Sequence, residues 1–199
     1  MTRNRILLVV GLFAILLIGL TTCGINAVPT AEEEAKAKWA DVQATYQRRA
    51  SLIPNLVATV RGAAASEERI LTGVTQARAD ATRITVSPDQ LTDPAAMARF
   101  SEAQTRLTLS LQRLQEAYPQ LQSQQNFSTL MSQLEGTENR ITIAIRDYNE
   151  AVRAYNTRIR TFPAVVAARV IYGADPMVPF EATVPNADVA PTVDFGNGQ

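Results

Sequence analysis

YQRRASLIPNLVATVRGAA, residues 46–64, decides how the rest of the chain is read. Tyr46, Ile53, Leu56, Val60 and Ala63 recur at steps of three and four once Arg49 is counted as a seam position. That period lays one stripe along one face of a helix. The stripe runs back to Val42 and Trp39 and on to Ile70, Val74 and Ala77, with Glu67 filling the gap. The spacing predicts one very long helix from Ala31 to Arg83, spanning roughly 80 Å. Pro54 lies inside it, removes a backbone hydrogen bond and crowds the Ala50 carbonyl, so a kink is expected. The stripe continues in phase beyond Pro54, which favours a kinked single helix over two helices joined by a loop. The orphaned Ala50 carbonyl is within reach of Asn55 or Arg49. Arg48, Arg49 and Asn55 lie on or beside the seam near the kink. They read as solvated side chains, with a polar group that fixes register.

A helix of that length cannot bury its stripe alone, and the downstream chain supplies partners. Ser87-Pro88-Asp89 and Asp93-Pro94 are turn and helix-start signals. A second helix follows with Met97, Phe100, Gln104, Leu107, Leu111, Leu114 and Tyr118 on its seam, and Pro119 ends it. After a polar connection at residues 122–126, a third helix carries Phe127, Leu130, Leu134, Thr137, Ile141, Ile145, Tyr148, Val152, Tyr155, Ile159 and Phe162, up to Pro163. A short fourth helix is expected over residues 164–171. Short connections make neighbours antiparallel. The expected fold is therefore all-α: an antiparallel, coiled-coil-like bundle of three long helices plus a short fourth, over residues 31–172. At its start, Thr30 and Glu33 read as a capping box. From Gly173 the period vanishes, and Pro176, Pro179, Pro185 and Pro191 exclude a helix. Residues 173–199 read as an extended tail, with a Val193-Asp194-Phe195 patch near its end that either docks back on the bundle or belongs to a disordered end. Trp39, Val42 and Tyr46 lie where the shorter helices are expected to leave the seam uncovered, a feature that favours oligomers or membrane contact.

The leader sets location. Residues 1–5 carry Arg3 and Arg5 and no acid, and fifteen apolar or Gly residues follow, Ile6 to Leu20. Leu20-Thr21-Thr22-Cys23 stands where a lipobox would, although Thr22 departs from the usual small residue before the Cys. The alternatives are an uncleaved spanning anchor, for which 23 charge-free residues run from Ile6 to Val28, and a plain secretory signal. Residues 1–23 are thus a signal or membrane anchor, with Cys23 the lipidation candidate, and residues 24–30 a linker. Both leading readings put the bulk of the chain on the extracytoplasmic, periplasmic side of a bacterial membrane. Formal charge balances to zero, so no basic surplus supports nucleic-acid binding. With no His and one Cys, a His general base, a His metal site and an internal disulfide are excluded.

Taken in order, Tyr46-Gln47-Arg48-Arg49, Leu52-Ile53-Pro54-Asn55-Leu56-Val57, Ala77-Arg78, Glu116-Ala117-Tyr118-Pro119 and Asn126-Phe127 resemble the LemA family of bacterial envelope proteins. So do Leu134-Glu135-Gly136-Thr137-Glu138-Asn139-Arg140-Ile141, Tyr148-Asn149, Tyr155-Asn156 and Phe162-Pro163. Ser51 and Asp147 depart from the family pattern. The resemblance implies an all-helical antiparallel bundle on an N-terminal membrane segment and an envelope partner. It brings no catalytic residue, because the family's molecular function is unsettled.

No Gly-rich phosphate loop occurs, and the seam spacing leaves little room for a pocket. Neither catalytic, cofactor-binding nor metal residues are expected. The acid pairs Glu67-Glu68 and Glu135 with Glu138 read as solvated surface. Glu138 and Asn139 flank a seam position, which suggests a buried network with Arg78 or Asn55. Tyr118, Tyr148 and Tyr155 read as core aromatics with the hydroxyl at the rim. The expected function is a non-enzymatic interaction or scaffold module of the envelope. A self-associating spacer and an enzyme using scattered carboxylates are the rivals.

Overall fold

The computed structural model describes residues 25–63 and 68–181, together with Gly11. Among them every regular element is helical. Helix α1 is Ala27–Ala63, α2 Glu68–Arg83, α3 Pro94–Ala117, α4 Gln125–Arg158 and α5 Ala164–Ala167, continued by a π-helical turn at Ala168–Tyr172. The leader, the lipidation expected at Cys23 and the Val193–Phe195 patch lie outside the described residues. No described helix is long and apolar enough to cross a membrane.

The contacts give the helix directions. Trp39 packs on Tyr148 with ring centroids 5.1 Å apart, and Arg49 Nη1 meets Glu138 Oε1 at 2.7 Å, so α4 runs antiparallel to α1. Helix α2 lies back along α1, because Arg78 Nε donates to the Ala50 carbonyl at 2.7 Å while Trp39 Nε1 donates to the Val86 carbonyl at 2.9 Å. Helix α3 runs with α1: Phe100 meets the rings of Trp39 and Tyr46, and Gln104 and Thr108 reach Arg49 farther along.

The helix expected over residues 31–83 is therefore two helices, and three long helices become four. Periodicity reports which residues face a core, not which way the helix points, so a reversal that nearly keeps phase leaves no mark in the pattern. The slip is visible afterwards: Leu71, Val74 and Ala81 are buried in α2, while Ile70 and Ala77 are only half-buried. The capping box does not form. Helix α1 begins four residues earlier, at Ala27, and the Thr30 hydroxyl donates to the Asn26 carbonyl at 2.8 Å. Pro29 falls in the first turn, where backbone N–H groups have no intrahelical partner to lose. The seam of α3 is buried throughout. That of α4 is buried at Leu134, Thr137, Ile141, Tyr148, Val152, Tyr155 and Ile159, but Phe162 is 73% exposed. Helix α4 stops at Arg158, ahead of Pro163, whose ring disfavours helical geometry in the residue before it.

Two apolar clusters fill the bundle. One gathers Trp39, Val42, Tyr46, Phe100, Ile141, Tyr148 and Val152. The other gathers Ile53, Leu56, Val60, Leu107, Leu114 and Leu134. Arg49 on α1, Gln104 on α3 and Thr137 on α4 are buried and fall between them in each helix, so a polar belt crosses the core. The tail is not loose where it is described. Gly173, at φ 56°, ends the π-helical turn in the left-handed region, which glycine enters without a Cβ penalty. Residues 174–181 then lie extended against the bundle, with Met177 and Phe180 buried.

Candidate functional site

The belt is built around Arg49, 1% exposed. Its Nη1 donates to Glu138 Oε1 at 2.7 Å and Thr108 Oγ1 at 3.0 Å. Its Nη2 donates to Gln104 Oε1 at 2.8 Å and to the Gln104 carbonyl at 3.3 Å. The guanidinium lies 4.9 Å from the centre of the Tyr46 ring, where the quadrupole favours a cation. Gln104 passes the chain of bonds on to the Ala81 carbonyl at 3.1 Å. Nε of Arg49 is the one buried side-chain polar atom without a partner among the described residues. Burial pushes the Tyr46 hydroxyl up to about 12, with Arg49 opposing and Glu138 adding.

This corrects the reading of Arg49 as solvated, while Arg48 beside it is exposed. It also changes the partners expected for Glu138, which meets Arg49, not Arg78 or Asn55. Asn139, Arg140 and Asn55 are exposed. Arg78 is half-buried and serves the backbone beside Pro54. The Ala50 carbonyl that Pro54 orphans is satisfied by Arg78 Nε and not by Asn55 or Arg49. Tyr118 is buried at the end of α3, and Pro119 opens the 3-10 turn after it. Beside the belt lies a cavity of about 410 Å³, bordered by Gln43, Tyr46, Ile84, Val86, Phe100 and Gln104. There is thus more room than the seam spacing suggested, and no ionised side chain borders it. Among the described residues, no three Cys, Asp or Glu side chains gather into a metal set.

The second site is a clamp. Tyr148-Asn149 and Tyr155-Asn156 repeat at a seven-residue interval on α4, and each Asn grips one residue of the tail. Asn149 donates Nδ2 to the Phe180 carbonyl at 2.9 Å and accepts the Phe180 N–H on Oδ1 at 2.7 Å. Asn156 does the same for Met177, at 2.8 and 2.9 Å. Each side-chain amide imitates the edge of a neighbouring β-strand. The interval has a geometric cause. Seven helical residues rise about 10.5 Å, and three extended residues advance about 10 Å, so the two amides meet the tail in register. The tyrosines complete the grip: Tyr148 donates its hydroxyl to the Val178 carbonyl at 2.9 Å, and Tyr155 to the Asp175 carbonyl at 3.2 Å. Burial raises the pKa of both hydroxyls, which keeps them protonated donors. On the far side the Val178 N–H donates to the Leu91 carbonyl at 2.8 Å, and Ser101 Oγ donates to the Glu181 carbonyl at 3.0 Å.

Side chains add a second layer of recognition. Phe180 packs on Trp39, Tyr46 and Phe100 with centroids 5.7, 6.3 and 5.8 Å apart. It thereby covers the seam that Trp39, Val42 and Tyr46 were expected to leave open. Pro176 and Pro179 have no N–H to strand, and their fixed φ lowers the entropy lost on docking. Met177, Phe180, Ser101 and Thr108 were missed in the sequence. The only hint was Met177 and Phe180 standing three apart between prolines.

Compared with known proteins, the chain matches the LemA family over residues 38–195. No curated protein matches it. The match takes in α1 from Lys38 onward, the whole belt and the tail clamp, and the chain belongs to the LemA family.

Proposed function

We propose that the chain is a membrane-tethered, extracytoplasmic interaction module of the cell envelope, without catalysis of its own, that takes an extended peptide segment on the α4 clamp. The carrying observation is the pair of bidentate Asn contacts at Asn149 and Asn156. Main-chain pairing supplies affinity for any extended segment, and pockets for alternate side chains supply choice. The preferred segment carries large apolar residues three apart, each directly preceded by proline, as Met177 and Phe180 are. The chain's own tail holds the site as a built-in competitor. The tether is supported by Arg3 and Arg5 ahead of the charge-free run from Ile6, which by the positive-inside preference leaves the bundle outside.

Two measurements test this. Full-length protein should sediment with membranes and be cut by protease added to spheroplasts; protection in intact spheroplasts would reverse the orientation. A labelled peptide with the sequence of residues 175–181 should bind full-length Phe180→Ala, whose own tail is loosened. It should fail to bind the same chain with Asn149→Ala and Asn156→Ala added. Equal binding to both would remove the clamp from the function.

A further inference from the structure

The end of the bundle at which α1 begins is apolar on the outside. Phe162 is 73% exposed, Val166 54%, Val170 79% and Ile171 58%. The segment inverts the usual surface-helix pattern: small Ala164, Ala167 and Ala168 face inward and are buried, while the larger residues face out. A surface helix of a water-bathed bundle carries polar residues there, and a contiguous exposed apolar patch marks an interaction surface. The charge around it is mainly basic. Residues 150–175 hold Arg153, Arg158, Arg160 and Arg169 against Glu150 and Asp175, and Glu150 shares the rim of the hollow beside Phe162 with Arg153 and Arg158. Of the acids in the first turns of α1, Glu32 and Glu33 are paired with Lys36, at 2.8 and 2.9 Å, and Glu34 is exposed.

The patch adjoins the start of α1. Ala27 borders one surface hollow with Phe162, Pro163 and Ala164. Only six residues separate Ala27 from Leu20, the last residue of the apolar leader run. Fully extended, that stretch reaches at most about 25 Å, so a leader held in a bilayer keeps this end of the bundle near the headgroups. Aromatic and aliphatic side chains flanked by arginines are the composition that settles into an anionic lipid interface.

We infer that Phe162, Val166, Val170 and Ile171, with Arg160 and Arg169, form a foot that rests on the anionic lipid surface from which the chain emerges, and so fixes the bundle's standing orientation. The inference rests on the tethered reading above. The foot holds the α4 clamp at a set height above the bilayer instead of leaving it to swing on residues 21–26.

A diazirine amino acid placed singly at Val166, Val170 or Ile143 in the full-length chain tests this in native membranes. Ile143 is 50% exposed and lies on α4, about 22 Å along the helix from its last residue, Arg158. Phospholipid adducts should form at positions 166 and 170 in several-fold excess over position 143, and Arg160→Glu with Arg169→Glu should cut the anionic-lipid share of them. Membrane-bound protein with no lipid adducts at 166 and 170, or with adducts to protein only, overturns the foot and leaves the tether standing. In the latter case residues 182–199 or a second copy cover the patch. Protein that does not sediment with membranes overturns both.

Discussion

Arg48 and Arg49 are adjacent, yet one is solvated and the other is 1% exposed, because successive helical side chains point about 100° apart. A buried guanidinium is tolerable only when nearly all its donors are met. Glu138, Gln104, Thr108 and the Tyr46 face meet all but Nε. The partners are unequal. The Glu138 side chain is 45% exposed against 2% for Arg49, so water can replace much of what Arg49 offers it. Arg49→Ala should therefore cost about 3 kcal/mol, from the cavity and the orphaned Gln104 acceptor. Glu138→Gln should cost about 1 kcal/mol or less, since an amide oxygen still accepts and the site is screened. Urea unfolding of both variants measures the difference, and equal costs would mean that the carboxylate, not the cation, organises the belt. That Arg49 occupied a seam position was legible from spacing. That it was buried was not, because burial depended on three partners 55 to 89 residues away.

Pro54 within α1 is served by a second element. Helix α1 runs unbroken through Pro54, which deprives the Ala50 carbonyl of its donor, and Arg78 on α2 supplies one at 2.7 Å. The proline and the return of α2 along α1 are thus coupled. Arg78→Ala should cost about 1–2 kcal/mol in the Pro54 chain. The loss should be smaller in Pro54→Ala, where the new N–H can take the carbonyl. A double-mutant cycle should give a coupling of about 1 kcal/mol, and additivity within error would show that Arg78 is incidental to Pro54. Pro54→Ala alone should gain far less than the roughly 3 kcal/mol of intrinsic propensity, because α1 is packed along its length against α4 and Arg78 already serves the Ala50 carbonyl. The orphan carbonyl could be read from the sequence by counting back four residues from Pro54. Its donor could not, because the sequence reading ran α2 onward from α1 and so placed Arg78 far from Ala50.

At the scale of the molecule, the tail finishes a bundle whose four helices leave one side open. Phe180 fills the space among Trp39, Tyr46 and Phe100, so its loss is a core mutation although it lies outside every helix. Phe180→Ala should destabilise the protein by about 3 kcal/mol. Ending the chain after Gly173 should expose the same aromatics and shift the protein toward dimers in sedimentation velocity. A truncated chain as stable and as monomeric as the whole would show that the tail is a passenger. Ile141, 4% exposed on α4, gives a reference for a helical core position: Ile141→Asp should cost several kcal/mol.

The sequence alone determined what is local and periodic. It marked the helical class, the faces of α1, α3 and α4, the stop at Tyr118-Pro119, and the orphaned carbonyl at Ala50. Each of these depends on residues within a turn or two of one another, and the period of a helix is written in its own residues. Tertiary structure alone decided the reversal that made α2 a separate helix, the choice of Arg49 as the partner of Glu138, and the docking of residues 174–181. Those depend on which surfaces meet in space. A tail rich in proline reads as loose until a pair of asparagines seven residues apart on another element is found to match its extended rise.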